Sequence, residues 1–279
     1  MNSRVLSKVA IDEISLNDDL SKIEKMEFSS AYSEYKSGSW ASIILANQTG
    51  DHKNGISSEY SGSVKVTSIG KSLPHIMQLI RDNFLFSEIK SVRIFKAANY
   101  GLIIPHIDYL EFKKGFTRLH VPLKTNKQCF NSELDKVYHM KMGEVWFVDG
   151  NLPHSGACLA NEERLHLVID FDPELPPSNC IIEPKDSIAQ TIIERKEFSL
   201  LDKKNILSLS SLINPGNFYA LLGFLSSIHF SKDVAAQAIY QWLDDISVLS
   251  GNDEVMTMSK ICKKKFIGDF DTDMFSLFL

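Results

Sequence analysis

The spacing of apolar residues changes character twice along the chain. In the first 85 residues it is mixed. Leu16, Leu20, Ile23 and Met26 are four, three and three apart, which predicts a short amphipathic helix after the start signal Asn17-Asp18-Asp19. Ala41-Ser-Ile-Ile-Leu-Ala46, led in by Gly38-Ser-Trp40, predicts an apolar strand; Trp40 either lines a pocket or belongs to the core. Residues 48 to 63, rich in Gly, Asn, Ser and Asp, predict a loop of the length that often closes over a site. Leu73, Ile76, Met77, Ile80 and Phe84 then recur at helical spacing, so a helix is expected from 73 to 83, with Pro74 tolerated in its first turn. His52 and His75 read as exposed.

From residue 89 the period shortens. Segments 92–97, 102–107, 116–123, 137–142, 144–148 and 164–171 are β-branched or aromatic runs separated by Gly, Asn, Asp or Pro. With the strand near residue 43 and another at 63–68 the count reaches about eight. That predicts a mainly β fold, a double-stranded β-helix of jelly-roll, cupin-like form with flanking helices. Beyond Asp172-Pro-Glu-Leu-Pro-Pro177 the period lengthens again, and helices are expected over 187–198, 200–213, 218–230 and 234–249. For the last, Ser231 is the expected cap, Val234, Ala235, Ala238, Ile239, Trp242 and Ile246 the apolar face, and Gly251 the stop. The proline-rich stretch thus separates a barrel domain with N-terminal helices, 1–177, from a helical C-terminal domain, 178–279.

Composition narrows the function classes. With 279 residues, 44% hydrophobic, the chain can bury a substantial core, which excludes a disordered or fibrous protein. A net charge of −5 offers no general attraction to nucleic acid, and Lys263-Lys264-Lys265 reads as a solvated helix end rather than a phosphate patch. Cys129, Cys158, Cys180 and Cys262 are dispersed without a C-x-x-C pair, against a zinc ribbon or a disulfide framework. No apolar run has the length of a signal peptide or membrane span, so a cytoplasmic protein is expected, with neither nucleic-acid nor membrane partners.

Candidate chemistry centres on His106-Ile107-Asp108. On a strand, His106 and Asp108 would face one way and Ile107 the other, into apolar packing, so the two could share an ion. His154, brought back by the turn-forming Asp149-Gly-Asn-Leu-Pro153 after a strand-like run, is the candidate third ligand. Two histidines and one carboxylate form the set that holds non-haem Fe(II) with open positions. Arg118 and His120 share one face of their strand, as do Arg164 and His166 of theirs; these polar faces are either solvated or line a barrel interior. Arg164, ten residues after His154, has a planar fork that matches a carboxylate, such as the distal one of 2-oxoglutarate.

Four motifs in order carry a resemblance: Thr117-Arg-Leu-His-Val-Pro-Leu123, Gly143-Glu-Val-Trp-Phe-Val-Asp149, Pro153-His154-Ser155 and Arg164-Leu-His-Leu-Val-Ile-Asp-Phe171. Over residues 90–175, and loosely before them, the chain resembles the aspartyl/asparaginyl β-hydroxylase family, especially its bacterial free-amino-acid hydroxylases of the proline 3-hydroxylase type. The resemblance implies Fe(II) on His106, Asp108 and His154, with 2-oxoglutarate as co-substrate anchored by Arg164. It puts His120 near the bound 2-oxoglutarate and Arg118 within reach of a substrate carboxylate. Mammalian members lack the carboxylate ligand, so Asp108 favours the bacterial branch. The implied reaction consumes O₂ and hydroxylates a free L-amino acid, proline or pipecolate-like, releasing succinate and CO₂, with ascorbate as an aid in vitro. Its small helical C-terminal region matches residues 178–279, whose role would be packing, a homodimer interface or part of a lid. The alternatives are a hydroxylase of peptidyl or carrier-bound residues, a cupin metalloenzyme that does not use 2-oxoglutarate, and a barrel that only binds. His229 and Cys262 carry no partner signal.

Overall fold

A computed structural model describes residues 1–29, 35–55, 58–108, 110, 114–183 and 188–278. Its main sheet is built from β1 (Arg4–Lys8), β2 (Lys36–Asn47), β3 (Lys65–Val66), β4 (Ile89–His106), β5 (Thr117–Lys124), β6 (Cys129–Glu133), β7 (Lys136–His139), β8 (Glu144–Val148), β9 (His154–Cys158), β10 (Arg164–Phe171) and β11 (Thr191–Ile192). The order is β1-β8-β5-β10-β4-β9-β6-β7-β11, with β2 also lying along β4.

The strand β4 belongs to two layers. Its first half pairs with β10, through Ile89 to Ala97, and its second with β9, through Gly101 to His106. The bend between them falls at Asn99 and Tyr100, both at positive φ (49° and 60°), a left-handed kink that redirects the strand. The segments 92–97 and 102–107, expected as separate strands, are therefore one bent strand. β8, β5, β10 and the start of β4 form one layer; the end of β4 with β9, β6, β7 and β11 forms the other. This is the expected double-stranded β-helix.

Each layer is covered outside by helices. Against the first lie α1 (Glu13–Ile23) and α3 (Pro74–Asn83), preceded by the one-turn α2 (Ser68–Ser72); Leu16, Ile76 and Ile80 share a core with the outward residues Ile94, Leu119, Val121, Leu167 and Ile169. Against the second lie α4 (Leu200–Ser208), α5 (Phe218–Ile228), α6 (Ala238–Ser250) and α7 (Asp253–Ile267); Leu222, Ile239 and Trp242 share a core with Leu102, Ile104 and Ala157 of the sheet. Each such fully buried aliphatic side chain contributes roughly 1.5–3 kcal/mol. No helix among the described residues is long and apolar enough to cross a membrane.

Some expectations need correction. α1 is capped by Asp12, whose carboxylate accepts from the Ile14 N–H. Asp19, expected in a start signal, is instead buried and accepts from the Ile76 N–H of α3. The strand at 63–68 shrinks to two residues because Thr67 caps α2. The helix at 187–198 does not form over its described part. There Ile193 donates to Val137 of β7, and Arg195 donates to the carbonyls of His229, Lys232 and Val234, so tertiary partners replace helical ones. α6 begins at Ala238 rather than at a Ser231 cap, and ends as expected on left-handed Gly251. α7 lies outside the expected helix spans, but exposed Lys264 and Lys265 in its last turn form the helix end expected at 263–265. His75 is exposed and His52 half-buried.

His229 joins the two parts of the molecule: fully buried at the end of α5, its Nε2 lies 2.9 Å from Ser132 Oγ of β6. Burial, reinforced by the charge of Arg195, pushes its pKa down to about 3. The unfolded chain takes up a proton at this residue below about pH 6.5 and the folded one does not, so stability is lost as pH falls from 6.5, by up to ~1.4 kcal/mol per pH unit. Denaturant unfolding between pH 7 and 5 should show this decline, and His229→Asn should make it shallower.

Candidate active site

The residues singled out by sequence converge on one cavity between the layers. It is lined by His106, Asp108, Arg118, His120, His154 and Arg164, along with Trp40, Arg93, Phe95, Asn131, Tyr138 and Gly156 among others. The polar strand faces therefore line an interior, and Trp40 is a cavity residue.

His106 ends β4 and His154 begins β9, directly opposite it in register. Their ring centroids are 4.4 Å apart. Alternation alone would not bring His106 here: Ile104 points outward into the helical core, and a bulge between Ile103 and His106 turns the histidine inward. Asp108 lies not on the strand but in the turn after it, its N–H donated to the Gly150 carbonyl at 2.8 Å. A Cβ on Gly150 would come within 2.9 Å of the Asp108 side chain, so this close approach requires glycine. Ile107 packs against the helical core, as expected, but also borders the cavity beside His106 and Asp108.

The three side chains form a donor set, with candidate ligand atoms all within 4.8 Å of one another. Asp108 Oδ1 is 3.2 Å from His106 Nε2, and its Oδ2 3.7 Å from His154 Nε2. Each histidine Nδ1 lies 2.9 Å from a carbonyl, that of Ile104 or Leu152, which fixes the proton on Nδ1 and frees Nε2 to ligate. Burial, with the His106 charge, lowers the His154 pKa to about 4, keeping it in the neutral ligating form. Burial acts against the charge on Asp108, but Arg118 and the two histidines outweigh it and hold the carboxyl well below its usual range. Two imidazoles and an ionised carboxylate fit a first-row divalent cation such as Fe(II).

Beside the triad lies a cluster of buried cations. Arg164, 3% exposed, donates from Nε to His166 Nε2 at 2.9 Å and from Nη2 to Asn131 Oδ1 at 2.7 Å, and lies 5.3 Å from the Trp40 ring centroid. Its Nη1 is buried with no partner among the described residues. Burial lowers its pKa only to about 10, so it stays charged at neutral pH. An orphaned charged donor in a cavity is a binding site for an anion. Arg118 is held by Asp170, through Nε at 2.7 Å and Nη2 at 3.2 Å, and its Nη1 reaches Asp108 Oδ2 at 2.6 Å. His120 is kept neutral by burial and by the neighbouring charges of Arg118 and Arg164. His166 lies beside it, the two Nδ1 atoms 3.5 Å apart.

Arg93, Asp170 and Asn131 did not stand out in the sequence. Arg93 was accessible to the same alternation that placed Arg118, since Arg93 and Phe95 alternate with the outward Val92 and Ile94. Asp170 was accessible in the same way, since it shares strand parity with Arg164 and His166; Asn131 gave no comparable signal, because its partner lies 33 residues away in the chain.

Comparison with known proteins identifies the family of the chain. The family model described as aspartyl/asparaginyl β-hydroxylase matches residues 12–173, and that of the L-proline 3-hydroxylase C-terminal region matches 182–271. The chain is 36% identical to an L-proline cis-4-hydroxylase of Rhizobium meliloti (strain 1021) over 270 residues, 96% of each chain. It is 26% identical to L-proline cis-3-hydroxylase 1 of a Streptomyces species over 278 residues, again 96% of each. Among solved structures, a Pseudomonas putida prolyl-4-hydroxylase aligns with a TM-score of 0.37 and 15% identity, over 61% of this chain and 91% of that one.

The donor set predicts that chelator-treated protein will take up one first-row divalent cation per chain, and that Asp108→Ala will lose this uptake while keeping its far-UV circular dichroism. Calorimetric titration with Mn(II) or Co(II) measures both.

Proposed function

This chain belongs to the aspartyl/asparaginyl β-hydroxylase family, and on that premise we propose that it is an Fe(II)/2-oxoglutarate-dependent hydroxylase of a free L-amino acid. Proline is the favoured substrate and a pipecolate-like imino acid the next. The single observation that carries the reading is the unpaired Nη1 of Arg164 in the cavity that holds the His106, Asp108 and His154 set.

His106, Asp108 and His154 would hold Fe(II), and Arg164 the distal carboxylate of 2-oxoglutarate. When bound, the metal with 2-oxoglutarate and O₂ supplies the oxidant for an unactivated C–H bond, with succinate and CO₂ released. The protein's part is to bind, orient and exclude water. His166 and Asn131 fix the plane of the Arg164 fork, leaving Nη1 for the ligand. Neutral His120 adds hydrogen-bonding capacity beside the co-substrate without a competing charge. Arg118, clamped by Asp170, is the proposed partner of the substrate carboxylate; a fixed carboxylate decides which carbon faces the metal. Arg93 adds a third arginine, so positive charge exceeds negative in the cavity, which suits a dianionic co-substrate and an anionic substrate group. Trp40, Phe95 and Val148 form apolar wall. The reading places its action in the cytoplasm, where free amino acids and 2-oxoglutarate are plentiful.

The test is a screen of free L-amino acids with Fe(II), 2-oxoglutarate and ascorbate, reading product mass and succinate together. Hydroxylated proline with matching succinate is the expected result; hydroxylation confined to peptides would overturn the free-amino-acid reading, and turnover without 2-oxoglutarate would overturn the co-substrate. Asp108→Ala should abolish turnover with the fold intact. In Gly156→Ala the new Cβ would fall 2.9 Å from Arg164 Nη1 and displace it. Losing a charge-assisted hydrogen bond should raise the KM for 2-oxoglutarate by roughly 10- to 100-fold, with a smaller effect on the amino acid KM in steady-state kinetics.

A further inference from the structure

The bulge that turns His106 into the cavity is held from outside the barrel. In the pairing of β4 with β9, Ile103 is matched to Gly156 and His106 to His154, so Ile104 and Pro105 are passed over. Pro105 has no N–H to lose there. Its carbonyl accepts from the hydroxyl of Tyr240, a fully buried residue of α6. One residue beyond His106, the N–H of Ile107 is donated to the carbonyl of Phe266 at the end of α7, at 2.8 Å. Between these grips, the Tyr35 ring lies edge-on to both His106, with centroids 5.2 Å apart, and Phe266, at 4.9 Å. Two main-chain anchors of segment 105–107 thus come from the C-terminal helices, while His106, paired with His154 of β9, faces the metal set.

We infer that the C-terminal helices set the metal affinity of the site, with Tyr240 as a positioning residue that holds the Pro105 bulge and so aims His106. The inference rests on the proposed function only in taking His106, Asp108 and His154 as a metal set. A bulge redirects a side chain only while its unpaired main-chain groups are satisfied. Without the Tyr240 hydroxyl the Pro105 carbonyl has reason to rotate, and His106, its neighbour, moves with it. Ligands aimed with less constraint bind metal more weakly even though none of them is altered.

The test is Tyr240→Phe, which keeps the ring and removes the donor. Its control is Trp242→Phe, in the same helix, where the indole stacks on Phe198 with centroids 5.0 Å apart. Anaerobic titration of the metal-free proteins with Co(II) should show Tyr240→Phe binding roughly tenfold more weakly, with a shifted visible absorption of the Co(II) form. Hydrogen exchange at the Ile107 amide should be faster in the same variant without metal. Trp242→Phe, at a similar loss of Tm, should keep both the affinity and the spectrum. Phe266→Leu, which alters the ring against Tyr35 but retains the carbonyl, should act in the direction of Tyr240→Phe and more weakly. An unchanged Co(II) affinity and spectrum in Tyr240→Phe, or an equal loss in the control, overturns the positioning role. A protein of natural sequence that takes up no Co(II) instead overturns the functional reading, and this inference with it.

Discussion

Burying a guanidinium costs several kcal/mol unless it is partnered, and three guanidiniums line the cavity of this protein. Much of the site follows from how that cost is met. Arg118 is neutralised by Asp170, which is itself steadied by the Ser91 hydroxyl at 2.9 Å. Arg164 receives no carboxylate among the described residues. It leans on an amide oxygen, a neutral imidazole and the face of Trp40, and one of its nitrogens is left over. Asp170 fixes Arg118 in place, whereas the incomplete pairing of Arg164 leaves a donor for the proposed co-substrate. Burial, reinforced by the charge of Arg164 for both and of Arg118 for His120, keeps His120 and His166 neutral, so they offer hydrogen bonds without adding charge.

Placing charge inside a β structure commits the outside to being apolar, because alternation sends every second residue the other way. β5 and β10 show this plainly: Arg118, His120, Arg164 and His166 turn inward, while Leu119, Val121, Leu165, Leu167 and Ile169 turn outward. An outward apolar face must be covered, and the two helical groups cover one layer each. The helices after the proline-rich stretch are therefore part of the barrel's packing. Through Tyr240 and Phe266 they also reach the strand that carries His106.

Much of the site was legible from local pattern. The alternation in 116–123 and 164–171 put the right pairs on one face, and the helical period at 73–83 marked α3 almost to the residue. Elements whose partners are remote were not legible. β6 is Cys-Phe-Asn-Ser-Glu and β9 His-Ser-Gly-Ala-Cys, short stretches with little β-branched content that form strands only because neighbours pair on both sides. Arg195 shows the reverse case, where four distant carbonyls draw a helix-like segment out of its helix.

His106, Ile107 and Asp108 separate the two levels. Residue types and spacing determined that two histidines and a carboxylate were available, that Arg164 lay near the third of them, and that a strand bore the first; these depend on side-chain chemistry and a repeat of two. How the three meet was decided by tertiary structure. His106 faces inward because of a bulge whose carbonyl is satisfied by a residue 135 positions later in the chain, and Asp108 joins it from a turn bonded to Gly150. A bulge shifts strand parity by one, and only the partners that satisfy its unpaired groups can stabilise that shift.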